Sequence, residues 1–184
     1  MLANFGYGTL LLTFVISLFG TGAAIFGALK KQARWVESAR LAMLLTFPLI
    51  SLVVVVLLYL LLAGRYEFSF VYGVTSEAMP AYLKVTSLWG GQAGSLVFWS
   101  WLMAAFASAV TLRKWDRDRE FLPWVIVVSL VTVAFFITLS LVFENPFNRF
   151  YMTASGQEVE ALFAPAGSTP IFPNDGRGLK PLLR

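Results

Sequence analysis

The hydrophobic pattern of this chain is blockwise rather than alternating. Four apolar segments, residues 5–29, 41–63, 95–112 and 122–143, run without a charged side chain. Each reaches the roughly 17–25 residues a helix needs to cross a hydrocarbon core. They predict four transmembrane helices and an all-α polytopic integral membrane protein, divided into a four-helix region over 1–143 and a tail over 144–184. Between the second and third spans, Tyr66-Glu-Phe-Ser-Phe-Val-Tyr72 places an aromatic at every second position, the period of a strand with one apolar face.

Local signals refine the helices. Gly20, Ala24 and Ala28 lie four residues apart, with Ala23 and Gly27 beside them, a stripe of small side chains that lets another helix approach closely. Pro48 falls inside the second span and removes a backbone donor, which predicts a kink; Thr46 and Ser51 are placed to satisfy the groups it leaves. Ser95 is a favourable N-cap for the third span, and Pro123 suits the first turn of the fourth. Trp115 and Trp124 at one end of the last span, and Phe143, Phe147, Phe150 and Tyr151 at the other, read as aromatic belts. Beyond Glu144, Asn145-Pro146 ends the helix, and the remaining residues are rich in Pro, Gly, Ser and acidic side chains, able to fold only against the helices or a partner.

Composition agrees with the segments. Of 184 residues, 58% are hydrophobic and 13% charged, too little polar surface to cover a soluble globule. The formal charge of +4 raises the question of nucleic acid. Eight of the fourteen basic residues, however, are Lys30, Lys31, Arg34, Arg40, Arg113, Lys114, Arg117 and Arg119, in the first and third connections. By the positive-inside bias those two connections are cytoplasmic and both termini lie outside, so orientation accounts for the charge and no nucleic-acid partner is expected.

The chemistry open to the chain is narrow. It contains neither histidine nor cysteine, which excludes thiol or imidazole catalysis and thiolate or imidazole metal sites within it. No carboxylate pair lies inside a span, where a proton or ion pathway would need one. The informative stretch is Leu88-Trp-Gly-Gly-Gln-Ala-Gly-Ser-Leu-Val-Phe-Trp99, three glycines between two tryptophans at the mouth of a span. Two readings are open: a turn that re-enters the bilayer, with Trp89 and Trp99 as interface anchors, or an outer platform where a flat ligand or a partner segment lies on exposed backbone and indole rings.

Trp89-Gly-Gly-Gln-Ala-Gly-Ser-Leu96 with Trp99, then Asn145-Pro-Phe-Asn-Arg149, then Asp175-Gly-Arg-Gly-Leu-Lys-Pro-Leu-Leu183 resemble, in order and topology, the N-terminal part of the haem-lyase subunits of bacterial cytochrome c maturation, the CcmF family. The resemblance implies a multi-pass protein of the bacterial inner membrane, surrounded by lipid, that helps attach haem to apocytochrome c on the outer face together with other cytochrome c maturation proteins. It also implies that Trp89, Gly90, Gly91, Gln92, Gly94, Ser95, Trp99 and Trp101 form or support a haem platform. Arg149, Arg177 and Lys180 are then candidates for haem propionates or apocytochrome, since both side chains favour carboxylates. Family members follow the Leu-Lys-Pro-Leu-Leu run with a haem-ligating His-Pro-Pro loop, which implies that this chain is one piece of a longer or split subunit. Gln92-Ala93 replaces the His-Glu of many members, and the stretch from Met152 to Pro173 is longer. The alternative is a structural or transport-type membrane subunit whose glycine turn only caps a helix.

Overall fold

A computed structural model describes residues 2–114 and 120–178, the side chains of residues 113 and 114 excepted. Six helices and three short strands are present among them: α1 Leu2–Leu29, α2 Ala33–Leu62, α3 Ser69–Val74, α4 Ala81–Gly90, α5 Gln92–Lys114, α6 Leu122–Val142, β1 Arg149–Met152, β2 Glu158–Ala161 and β3 Thr169–Pro170. The helices α1, α2, α5 and α6 are long and apolar enough to cross a membrane. They form an up-down bundle in which α1 packs on α2 and α6, and α5 packs on the same two from the other side. Leu10, Met43, Ile50, Leu57, Val97, Ile126, Leu130 and Ile137 fill its core.

Lipid gives apolar helices little reason to associate, so close backbone approach and hydrogen bonding must supply it. The buried face of α1 is built for that, carrying Gly6, Thr9, Thr13, Ser17, Gly20, Ala24 and Gly27 three or four residues apart. The sequence stripe is the second half of this longer seam. Its hydroxyls cost nothing in polarity, because Thr9, Thr13, Ser17 and Thr21 each donate to the carbonyl four residues back at 2.7–2.8 Å. At Gly20 a Cβ would stand 2.6 Å from Leu130 of α6 and 2.8 Å from Ala42 of α2, so three helices meet there with no room for a side chain.

The loop-rich end of the bundle, here the cap end, departs from the sequence expectations in four ways. First, the protein is not all-α: the tail forms an antiparallel sheet of order β2-β1-β3, with Phe150 opposite Glu160 and Tyr151 opposite both Val159 and Pro170. Second, the alternating aromatics are not a surface strand. Tyr66 and Glu67 lie in a turn, Phe68 alone is extended, where it bridges to Arg149, and α3 begins at Ser69. Tyr66, Phe68 and Phe70 are all buried, so the period of two arose from crowding beneath the tail rather than from a strand face. Third, Phe147, Phe150 and Tyr151 are not a lipid-facing belt but the buried anchor of the tail, whereas Phe143 and Trp124 are exposed as a belt requires; Trp115 lies outside the described residues. Fourth, α5 starts at Gln92, and Ser95 sits inside its first turn, donating to the Gln92 carbonyl at 2.9 Å instead of capping the helix.

Pro123 does occupy the first turn of α6. Pro48 lies within α2, but the neighbouring hydroxyls serve other carbonyls, Thr46 donating to Ala42 and Ser51 to Phe47. Neither reaches Leu44, whose carbonyl loses its donor to the proline ring.

The seam yields a matched pair of substitutions. Gly20→Leu should lower thermal stability in detergent by an amount on the order of 1–3 kcal/mol, the usual cost of overpacking. Gly22→Leu, where a Cβ would have no atom within 4 Å, should leave the melting curve nearly unchanged.

Candidate functional site

The three sequence motifs come together around one short helix. α3 is only six residues long, too short to bury a face of its own, and each of its sides is taken by a different motif.

The glycine turn covers one side. α4 ends at Gly90 and α5 begins at Gln92, so the chain reverses through Gly91 alone. A Cβ on Gly91 would meet Val74 at 2.7 Å and the Phe70 ring at 3.2 Å. One on Gly94 would collide with the Leu88 carbonyl and with Phe70. These glycines are required by close approach, since α4 and α5 fold back over α3 with backbone against ring. Ser87 of α4 adds a hydrogen bond to the Val74 carbonyl at 3.1 Å.

Asn145-Pro-Phe-Asn-Arg149 holds the second side. The Asn145 side chain accepts from the Phe147 amide at 3.0 Å, and its carbonyl accepts from the Asn148 amide, a tight turn that ends the α6 direction. The turn drives the Phe147 ring into α1, where a Cβ on Gly6 would stand 2.7 Å from it. The Asn148 carbonyl then receives the Ser69 amide at 3.0 Å, satisfying one of the unpaired donors at the start of α3. Arg149 donates to Asn4 at 2.9 Å and lies 5.0 Å from the centre of the Phe68 ring.

Asp175-Gly-Arg-Gly178 closes the C-terminal end of α3. The Asp175 carboxylate accepts from the amides of Glu77 at 2.6 Å and Gly176 at 2.7 Å. Arg177 and Gly178 donate their backbone amides to the carbonyls of Tyr72 and Thr75, at 2.7 and 3.1 Å. Gly176 presses on those same carbonyls with no space for a Cβ. The Arg177 guanidinium lies 5.3 Å from the centre of the Tyr72 ring, and Tyr72 packs edge-on against Phe150. Burial raises the Tyr66 phenol above its ordinary value, and the nearby carboxylates of Asp175 and Glu77 act in the same direction. Lys180 lies outside the described residues.

The tryptophans divide between two roles. Trp89, Phe98, Trp101 and Phe47 form a continuous run of rings with centroids 5.5, 6.0 and 6.1 Å apart. The Trp101 indole donates to the Ser51 hydroxyl of α2 at 2.9 Å, which fixes the run to the bundle. Trp99 points outward, 57% exposed, and Trp89 is 51% exposed. Sequence reasoning singled out the tryptophans but missed Phe98, which joins them, and Phe70, on which the glycines close. It read Asp175-Gly-Arg-Gly for its charge, whereas the contacts formed are largely backbone.

Between the glycine turn (Gly90, Gly91, Gln92), α3 (Ser69, Gly73) and the end of α6 (Glu144, Asn145) lies a cavity of about 490 Å³. Its residues do not fit a haem. No imidazole, thiolate or thioether lines it to hold iron, and Glu144 and Glu160 would repel propionates. Arg149 and Arg177 do not line it. Among the described residues no cluster of acidic side chains is arranged to hold a metal.

No family model matches the chain. It is 26% identical over 184 residues to the cytochrome c-type biogenesis protein CcmF of Haemophilus influenzae, covering all of this chain and 26% of that protein. The CcmF of Escherichia coli gives 26% identity over 185 residues, with the same two shares. The cytochrome c-type biogenesis protein NrfE of Haemophilus influenzae is 25% identical over 91% of this chain. Among solved structures, a cytochrome c haem lyase CcmF matches the fold with a TM-score of 0.72, at 20% identity, over 80% of this chain and 25% of that one. The chain thus spans about a quarter of the length of the curated relatives it matches. Over its whole length it is similar to the N-terminal part of the cytochrome c-type biogenesis protein CcmF.

Proposed function

We propose that this chain is the N-terminal scaffold of a cytochrome c maturation haem lyase, helping to assemble the outer-face site where haem is joined to apocytochrome c. The observation that carries the proposal is the convergence on α3 of the three motifs shared with the CcmF family, each engaged mainly through backbone and close packing. A fold that spends its distinctive residues on holding a cap supports a role in positioning. Without histidine or cysteine the chain offers the haem iron neither imidazole nor thiolate, so in this reading those ligands come from groups outside this sequence.

In this reading the two basic connections face the cytoplasm of a bacterial inner membrane and the cap end faces the periplasm. The exposed faces of Trp89 and Trp99 and the tail form the ground on which haem-binding segments, apocytochrome c and the other maturation proteins assemble. Arg149 and Arg177 reach this surface already stacked on Phe68 and Tyr72, which leaves their outward N–H groups to meet carboxylates.

The test is cytochrome c yield in cells whose only full-length haem lyase carries substitutions in this segment, with subunit abundance measured alongside. Gly94→Val, which displaces Phe70 and the end of α4, should reduce yield at least about tenfold, since misplacement near 1 Å away from the chemistry is enough to cost more. Gly73→Ala, with open space at its Cβ, should be silent. Arg177→Ala should reduce yield without reducing abundance. Full maturation by both Gly94→Val and Arg177→Ala subunits would contradict the proposal.

A further inference from the structure

A second cavity lies at the opposite end of the bundle from the cap. Its volume is about 760 Å³, and its walls come from the α1–α2 turn and the start of α6. Two kinds of wall are present. Gly27, Ala28, Val36, Pro123 and Trp124 make an apolar floor, while Lys31, Arg34, Glu37 and Glu120 stand around it.

The backbone explains why the space is there. The Gln32 amide donates to the Gly27 carbonyl at 3.0 Å, wrapping the end of α1, and Lys31 sits at φ 52° to allow it. That left-handed conformation costs an L-residue roughly 1–2 kcal/mol, and glycine would relieve it. Instead, a lysine stands there, beside the cavity. Gly27 lets Val36 pack directly against α1, its Cβ position lying 2.7 Å from a Val36 methyl, so the two helices close below the turn and leave the opening above.

The charges are mixed in a particular way. Glu37 is engaged by Arg40 at 3.0 Å. Lys31 and Arg34 on one wall and Glu120 on the other then present two cations and one carboxylate across an apolar floor. Topology alone would ask only for the cations. Trp35, Trp124, Phe121 and Leu29 are exposed around the same level, the surroundings of a helix end at a lipid interface.

We propose that this cavity binds the headgroup of an aminophospholipid, with Lys31 and Arg34 holding the phosphate diester, Glu120 accepting hydrogen bonds from the primary ammonium, and the apolar floor receiving the glycerol. A guanidinium and an ammonium are the usual partners of a lipid phosphate between helix ends. The carboxylate supplies the selectivity. A primary ammonium donates up to three hydrogen bonds to it, a trimethylammonium donates none, and an anionic glycerol headgroup meets it with no compensating positive charge. The inference stands independently of the haem-lyase reading, since it concerns the other end of the bundle.

The test uses the full-length protein, delipidated and reconstituted into nanodiscs of phosphatidylcholine with equal minor fractions of phosphatidylethanolamine and phosphatidylglycerol, with retained lipid counted by native mass spectrometry. Phosphatidylethanolamine should be retained on the order of tenfold over both others, the factor one hydrogen bond to a charged group gives. Glu120→Gln should reduce that preference to near parity with phosphatidylcholine, and Arg34→Gln should reduce retention of every phospholipid. Preferential retention of phosphatidylglycerol would mark a simple basic patch and overturn the proposal. Preference for phosphatidylcholine, equal retention of all three, or release of bound lipid by millimolar inorganic phosphate would also overturn it. The wild-type selectivity decides the matter even if a variant fails to fold.

Discussion

Close backbone approach along α1 is the constraint on which the rest of the structure depends. Its glycine and hydroxyl seam meets a different neighbour at each level. Near the start, Gly6 receives Phe147 and Val56; at mid-length, Gly20 receives Leu130 and Ala42; near the end, Gly27 receives Val36 and Trp35. Three levels of one helix therefore set the seat of the tail, the core of the bundle and the α1–α2 turn. In a membrane this is where specificity has to come from, because burying another leucine against lipid-like side chains gains little.

From the seat of Phe147 the cap follows by a second constraint, that backbone polar groups leaving the helices must find partners. α3 cannot satisfy its own ends. The Asn148 carbonyl takes a donor at its start, and the amides of Arg177 and Gly178 serve carbonyls at its end, so two segments distant from it in sequence hold one small helix. The tail is in turn held by β1, whose central position between β2 and β3 leaves both of its edges paired. Such an arrangement fixes the cap loops relative to one another through backbone pairing.

Much of this was legible in the sequence, and the division has physical reasons. The spans could be read because lipid demands long uncharged runs, and the α1 stripe because small residues at helical spacing have few other uses in a membrane. Pro123 likewise announced the start of α6. The cap was read less well. Alternating aromatics from Tyr66 to Tyr72 satisfy a strand period, yet tertiary packing of Tyr66, Phe68 and Phe70 made the segment a turn followed by a short helix. α4 escaped notice because ten residues that end at Gly90, with Gly91 directly after, resemble a loop. Phe147, Phe150 and Tyr151 looked like interface aromatics because nothing local distinguishes a ring facing lipid from one under a folded tail. The three motifs meet around α3, but the contacts they make could not be read from residue type: in Asp175-Gly-Arg-Gly178 the amides bind α3, and amides carry no sequence signature.

The claim that the α1 seam positions the cap is tested most directly by hydrogen exchange on the full-length protein with Gly6→Leu, which removes the seat of Phe147 while leaving the mid-bundle contacts at Gly20 intact. The account predicts faster exchange at the amides of Ser69, Phe150 and Arg177, which pair with Asn148, Glu67 and Tyr72, while the interiors of α2 and α6 stay protected. Unchanged exchange at those three amides in a folded Gly6→Leu protein would contradict it, and would mean that the cap holds itself in place without α1.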